Sequence, residues 1–178
     1  MKKLKKYIVF IILMLLVICW VGFIWGNSMK DGTQSGAESS KVCEVVNDVS
    51  QSLGVEEPIS EHTVRKSAHF GEYMVLGFLV CADMVALCAA RSPRREWVRI
   101  LLLSISVPFS ALVASIDEFC IQANVEGRGP AFTDVLIDTA GALSALAITV
   151  LIIYIVQLFK KIKRKPKKNK NKKEKKKS

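Results

Sequence analysis

The sequence lacks the short motifs that mark well-known hydrolase, nucleotide and zinc sites. It has no G-x-S-x-G nucleophile elbow, no glycine-rich phosphate loop and no H-E-x-x-H helix. Its 5 cysteines do not show the paired spacing of a metal site, and only Cys43 and Cys120 could meet outside the apolar runs. A disulfide between them is compatible with an oxidising exterior, but spacing alone leaves it open. We therefore expect no metal and no cofactor, and catalysis ranks behind binding or a structural role.

The sequence also lacks the even spread of apolar residues that a globular domain shows. Apolar residues make up 51% of the 178-residue chain and occur in blocks. Four runs are long enough to cross a hydrocarbon core of about 30 Å, at residues 7–25, 70–90, 98–116 and 135–159. No A-x-A cleavage pattern follows the first run, which favours an uncleaved helix over a secretory signal. The sequence predicts an all-α integral membrane protein with four transmembrane helices.

The formal net charge of +10 is unevenly distributed. The N-terminal end, the short loop at 91–99 and the C-terminal tail are positive, whereas the loops at 27–66 and 117–134 are net negative. Lysine and arginine in short loops mark the cytoplasmic side of a membrane protein. We therefore expect both termini and the 91–99 loop to be cytoplasmic and the two acidic loops to lie outside.

The tail at 160–178 contains 13 lysine and arginine residues and one glutamate. Because no apolar residue follows Ile162, we expect a disordered basic tail that is separate from a transmembrane domain at 1–159. Next to a span on the cytoplasmic side, such a tail favours anionic lipids, at about 1 kcal/mol for each basic residue near the surface. Without aromatic residues to stack on bases, nucleic acid is not an expected partner.

An amphipathic helix is predicted within the first outer loop. Its apolar residues recur at helical spacing, at Val42, Val45, Val46, Val49 and Leu53. Ser39 and Ser40 precede them as candidate N-caps. Such a helix packs as a lid on the spans or lies on the lipid surface, and as an alternative it gates a site.

Three features of the spans lead to more local predictions. Asp83 is a lone carboxylate deep in the second run, and we expect it to pair with Arg91 or another arginine of the 91–99 loop. Pro108 predicts a kink in the third run. Gly141 and Ala145 form a small-xxx-small pair that allows close helix packing in the fourth.

Ionisable and polar residues converge at the outer ends of the last three spans. They are Lys66, His69, Glu72 and Tyr73 at the start of the second, Asp117, Glu118 and Gln122 at the end of the third, Arg128 in the loop, and Asp134 and Asp138 at the start of the fourth. With Arg65 included, the charges nearly balance. A mutually paired network therefore explains these residues without any ligand.

Two functional interpretations compete with this structural one. Arg128 and Lys66, together with the acids, could bind the polar headgroup of a lipid or a peptide, since arginine suits bidentate anion recognition. Alternatively, His69 with Glu72 or Glu118 could act as a general acid and base on a lipid-linked envelope substrate. Both interpretations place an outward-facing polar site in a membrane protein.

The same residues carry a family resemblance. RKSAHFGEY at 65–73, the pair Asp117 and Glu118 with Gln122, Gly127 with Arg128, and FTDVLIDTAG at 132–141 resemble the VanZ-like family over about residues 10–158. The family signatures correspond here to Lys66, His69, Glu72, Asp117, Glu118, Gln122, Arg128, Asp134, Asp138 and Gly141. The GPA stretch at 129–131 departs from the small polar residues that usually follow the arginine.

The resemblance implies a multi-pass protein of the bacterial cell membrane. The founding member of the family confers low-level resistance to the glycopeptide teicoplanin. The resemblance therefore predicts a membrane factor that alters the response to a glycopeptide or a lipid-linked envelope ligand. An acid/base enzyme and a purely structural membrane protein are the alternatives.

Overall fold

The computed structural model describes residues 2–54, 57–93 and 95–163, and all regular structure within these ranges is helical. The α-helices are α1 (Lys2–Ser28), α2 (Gly32–Ser52), α3 (Glu61–Arg91), α4 (Glu96–Ser104), α5 (Ser106–Ile116) and α6 (Phe132–Lys163). A π-helical turn at Asp117–Ile121 and a 3-10 turn at Gln122–Asn124 continue directly from α5.

Four helical stretches are long and apolar enough to cross a membrane, at Leu4–Ser28, Glu61–Arg91, Glu96–Asn124 and Phe132–Lys163. The predicted fold class is confirmed to this extent. Each stretch extends beyond its apolar run because the flanking polar residues continue the helix. We call one end of the spans the cluster end. The first and third stretches end there, at Ser28 and Asn124, and the second and fourth begin there, at Glu61 and Phe132.

Helices α1 and α3 run antiparallel. The Lys6 ammonium donates to the carbonyl of Ala89 at 2.9 Å, and the Trp20 indole donates to the carbonyl of Glu72 at 3.0 Å. The two helices share an apolar core whose fully buried side chains include Ile24 and Leu76. This packing brings the C-terminal end of α1 beside the first turns of α3.

The third span is interrupted at Ile105, between α4 and α5. Pro108 has no N–H to donate to the carbonyl of Ser104, so a regular helix cannot continue through this point. The break therefore falls where the predicted kink was expected. The Ser106 hydroxyl donates to the carbonyl of Leu103 at 2.9 Å within this buried region.

Close packing of α3 against the first half of α6 depends on two glycines. A Cβ at Gly77 would lie 2.8 Å from the Cβ of Ala145 and 2.9 Å from the Cα of Ala142. A Cβ at Gly141 would overlap the carbonyl oxygen of Phe70. The predicted small-residue pair at 141 and 145 thus lies where the two backbones approach each other.

Helix α2 occupies the position of the predicted outer helix but begins earlier. Asp31 is its N-cap and accepts from the amide of Gln34 at 2.8 Å, so the predicted caps at Ser39 and Ser40 are wrong. Hydrogen bonds from the Thr33 hydroxyl and the Gln34 amide lower the pKa of Asp31. The stripe residues Val42, Val45, Val49 and Leu53 are each more than half exposed. The amphipathic, outer character of α2 therefore stays a prediction.

Two further predictions concern residues away from the cluster end. Asp83 is buried, but it forms no ion pair with Arg91, Arg95 or Arg99, the described arginines of that loop. Pairing with Arg91 is wrong because eight residues of helix place the two about 12 Å apart along the axis. All five cysteines, including Cys43 and Cys120, are free.

The chain divides into two compact units, and the second begins at Ala147. Its described part is the second half of α6, whose large apolar side chains are mostly exposed, as expected for a helix that contacts lipid. The helix continues through Lys163, four residues into the predicted tail. Residues 164–178 of that tail lie outside the described ranges.

Candidate functional site

The cluster end contains a pair of buried carboxyl groups. Asp117 and Glu118 are 0% and 2% exposed. The amide nitrogen of Gln122 donates to Asp117 Oδ2 at 2.9 Å and to Glu118 Oε2 at 2.8 Å. Glu118 Oε1 also accepts from the backbone N–H of Ala131 at 2.6 Å. One amide thus bridges both acids.

The π-helical turn makes this bridge possible. In an α-helix, residues five apart lie on different faces, whereas the wider π turn brings residues i and i+5 into register. Asp117 and Gln122 are such a pair. The backbone N–H of Gln122 is directed to the backbone carbonyls of Asp117 and Glu118. Single π turns are frequent at functional sites, because the extra residue redirects side chains without ending the helix.

The loop arginine and the end of α1 close this group. The Ser28 hydroxyl donates to Asp117 Oδ2 at 2.8 Å. Arg128 Nη1 donates to the carbonyl of Ser28 at 3.3 Å and to Gln122 Oε1 at 3.2 Å. The two buried acids therefore accept from neutral groups, and no ion pair within 4.0 Å reaches them from any described residue.

A second group joins α3 to the start of α6. Lys66 Nζ donates to Asp134 Oδ1 at 2.8 Å, with 28% and 24% of the two side chains exposed. One turn deeper, His69 Nδ1 lies 3.8 Å from Asp138 Oδ1, which is too far for a hydrogen bond. The histidine and this acid thus face each other without a hydrogen bond.

Glu72 is engaged elsewhere. Its Oε1 accepts from the side-chain amide of Asn27 at 3.2 Å. Neither Glu72 nor Glu118, both described residues, forms an ion pair or hydrogen bond with His69. The predicted dyads of His69 with Glu72 or Glu118 are therefore not formed. Asp138 of α6 is the carboxylate that lies opposite the imidazole ring.

Several buried polar atoms of the cluster have no hydrogen-bond partner among the described residues. They are His69 Nδ1, the Tyr73 hydroxyl, Asp117 Oδ1 and Asp138 Oδ1. Tyr73 and Asp138 are 0% and 1% exposed. Leaving a buried polar group unpaired costs about 1–3 kcal/mol, so this set is unusual for a network whose only role is structural.

Two clefts reach the cluster beside Arg128. The first has a volume of about 180 Å³ and lies among the end of α1, the first half of α2 and the start of α3. The second, of about 130 Å³, lies beside the loop that carries Gly127 and Gly129. Arg65, His69 and Arg128 line both clefts.

The tertiary structure brings all ten predicted site residues to one end of the spans and adds others. Asn27 and Ser28 lie beyond the first apolar run, yet α1 continues through them and directs both side chains to acids. Arg65 was expected only as a balancing charge, and it lines both clefts. Their polarity at the end of an apolar run was the available signal. Within the described ranges, no group of three or more His, Cys, Asp or Glu side chains is arranged to hold a metal ion.

Four apolar helices with a polar cluster at one end indicate a multi-pass membrane protein. The family model VanZ/LLP1 matches residues 10–157, which is most of the chain, and the protein therefore belongs to the VanZ/LLP1 family. This confirms the resemblance carried by the motifs of the cluster. No curated protein and no solved structure is significantly similar to the chain.

Proposed function

We propose that the protein is a membrane factor that alters the response of bacterial cells to a glycopeptide such as teicoplanin, or to a lipid-linked envelope ligand. The cluster end would face outward and bind the polar part of that ligand. Both termini would lie in the cytoplasm, with the basic tail at the anionic inner leaflet. The family assignment motivates the biological process, and the cluster supplies the binding chemistry.

One observation carries the binding proposal. Four buried polar atoms, on His69, Tyr73, Asp117 and Asp138, are unpaired, and His69 among them lines both clefts. Their hydroxyl, imidazole and carboxyl groups can donate to and accept from a polar ligand. A ligand that satisfies them recovers the free energy that their burial costs.

Teicoplanin susceptibility of cells that express the protein tests this function. At equal membrane abundance, we expect protection by the wild type and its loss in His69→Gln and Asp138→Asn. His62→Gln and Asp48→Asn are matched controls, since both residues are exposed and lie outside the cluster. Lack of protection by the wild type would contradict the teicoplanin proposal. Loss of the variant proteins from the membrane would instead favour the purely structural alternative.

The proximity of His69 and Asp138 supports a second candidate, an acid/base enzyme. A histidine 3.8 Å from a buried carboxylate needs only a small shift to form a general-base pair. Such an enzyme would change the mass spectrum of envelope lipids or lipid-linked precursors on overexpression. An unchanged spectrum, together with wild-type protection against teicoplanin, would leave binding without catalysis.

A further inference from the structure

Two arginines define a positively charged junction at the cluster end. Arg65 projects from the first turns of α3, and Arg128 lies in the loop before α6. Each lines both clefts, so the two guanidinium groups border the same accessible space from different elements. Arg65 is exposed, whereas Arg128 is partly buried.

Neither arginine has a carboxylate partner within 4.0 Å among the described residues. The recorded hydrogen bonds of Arg128 go to two neutral acceptors, the carbonyl of Ser28 and the side-chain oxygen of Gln122. The Arg65 side chain forms no hydrogen bond with any described residue. Both guanidinium groups therefore retain free N–H donors.

The surrounding acids are committed to other donors. Asp134 accepts from Lys66, and Glu118 accepts from Gln122 and Ala131. Burial lowers the pKa of Arg128, Asp117 opposes that shift, and the positive charge of Arg65 adds to it. The two arginines therefore add their positive charges at the clefts that both of them border.

The first cleft supplies neutral donors as well. Ser35 and Ser39 of α2 line it together with Arg65 and Arg128. Two acids also line it, but Glu38 is paired with Lys30 and Glu72 accepts from Asn27. Two cations and two hydroxyls around one space match a phosphate group, which carries up to two charges and offers several acceptor oxygens. A carboxylate needs only one guanidinium for bidentate pairing.

We propose that Arg65 and Arg128 bind a phosphate group in the cleft between α2 and α3. The phosphate comes either from the headgroup of a lipid or from a soluble phosphate compound. This inference rests on the proposed binding function and names the chemical class of the ligand. It assigns a binding role to Arg65 as well as to Arg128.

The test uses the full-length protein in dodecyl maltoside, a detergent without phosphate. Inorganic phosphate is titrated at constant ionic strength with chloride, and the unfolding temperature is followed by tryptophan fluorescence. We expect saturable stabilisation of the wild type. Arg65→Gln and Arg128→Lys should bind about tenfold to one-hundredfold more weakly, the loss expected for one charge-assisted contact.

Lys41→Gln is the matched control, because it removes one positive charge from an exposed position of α2 outside both clefts. It should bind phosphate like the wild type. Equal weakening in Lys41→Gln would overturn the site in favour of a general charge effect. Acetate that stabilises as well as phosphate, or a wild type that does not saturate, would also overturn it. Arg65→Gln keeps the test decisive if Arg128→Lys fails to fold, since Arg65 is exposed.

Phosphatidic acid added to the micelles distinguishes the two sources. Displacement of inorganic phosphate by this lipid supports a headgroup site, and phosphate binding without displacement supports a soluble ligand. The binding assay is independent of the cell assay. Teicoplanin protection that depends on His69 and Asp138, combined with no phosphate binding, would refute this inference and leave the proposed function standing. Phosphate binding without any teicoplanin effect would support this inference and contradict the teicoplanin proposal.

Discussion

Gln122 is the residue on which the two buried acids of the cluster depend. Its amide nitrogen donates to both Asp117 and Glu118, and its oxygen accepts from Arg128. A single neutral side chain therefore links two carboxyl groups to the loop arginine. Hydrogen bonds to charged groups contribute about 1.5–3 kcal/mol each to stability. We therefore expect Gln122 to contribute substantially to the free energy of unfolding.

We expect Gln122→Glu to lower the free energy of unfolding by about 2 kcal/mol or more, because it replaces a shared donor with a third acid. The change is nearly isosteric, so packing is preserved. Thermal unfolding in detergent micelles measures the effect. Gln51→Glu is the control, since Gln51 is exposed at the end of α2. Equal stability of the two variants would show that the bridge contributes little.

Burial should decide what each ion pair contributes. Lys66–Asp134 and Lys30–Glu38 have nearly equal N to O distances, 2.8 and 2.7 Å, but Glu38 is 61% exposed and Asp134 only 24%. In double-mutant cycles with Lys→Gln, Asp→Asn and Glu→Gln changes, we expect a coupling of about 1 kcal/mol or more for the first pair. The second should give below about 0.5 kcal/mol. Reversible chemical denaturation measures both, and equal couplings would contradict this expectation.

At the scale of elements, the approach of α3 to the first half of α6 is set by missing side chains. Gly77 has no space for a Cβ, whereas a Cβ at Gly71 on the same helix meets nothing within 4 Å. Two glycines of one helix thus have opposite packing requirements. The difference isolates interhelical contact from helix propensity.

Gly77→Ala should therefore destabilise the protein by about 1–3 kcal/mol through overpacking against Ala142 and Ala145. Gly71→Ala should be neutral or slightly stabilising. Unfolding temperatures of the two variants in the same micelles provide the comparison. A Gly71→Ala variant that loses as much as Gly77→Ala would point to backbone flexibility instead of packing.

The π turn is the second element with a specific role. It contains one residue more than an α-helical turn of the same height, and Cys120 within it is exposed. Inserting an alanine after Cys120 should place Gln122 six residues after Asp117 and rotate its side chain away from both acids, with a clear fall in unfolding temperature. Cys120→Ala, which keeps the chain length, should unfold like the wild type. A tolerated insertion would show that the turn does not position the bridge.

At the scale of the whole molecule, charge asymmetry predicts the orientation in the membrane. We expect the acidic loops and the cluster end outside and both termini inside. Green fluorescent protein fused after Ser178 should fluoresce, and alkaline phosphatase inserted after Gly54 should be active. An active phosphatase at the C-terminus would reverse the orientation and place the cluster at the cytoplasmic face.

The spans and the candidate cluster could be predicted because their signals are local. An apolar run of sufficient length predicts a transmembrane helix whatever surrounds it. Polar residues at the ends of such runs mark a cluster, since burying them in lipid is costly. Asp31 was missed as the cap of α2 because the apolar stripe begins at Val42, well inside the helix. The pairing of Asp83 with Arg91 failed because reach along a helix was judged from proximity in sequence.

The sequence by itself determined the number of spans, their approximate positions and the chemical identity of the residues at the cluster end. Only the tertiary structure decided which of these residues meet. Ser28 and Asp117 are 89 positions apart, and Lys66 and Asp134 are 68 apart, so no local pattern encodes either contact. The π turn, the opposition of His69 and Asp138 and the shared clefts of Arg65 and Arg128 likewise depend on how separate helices pack.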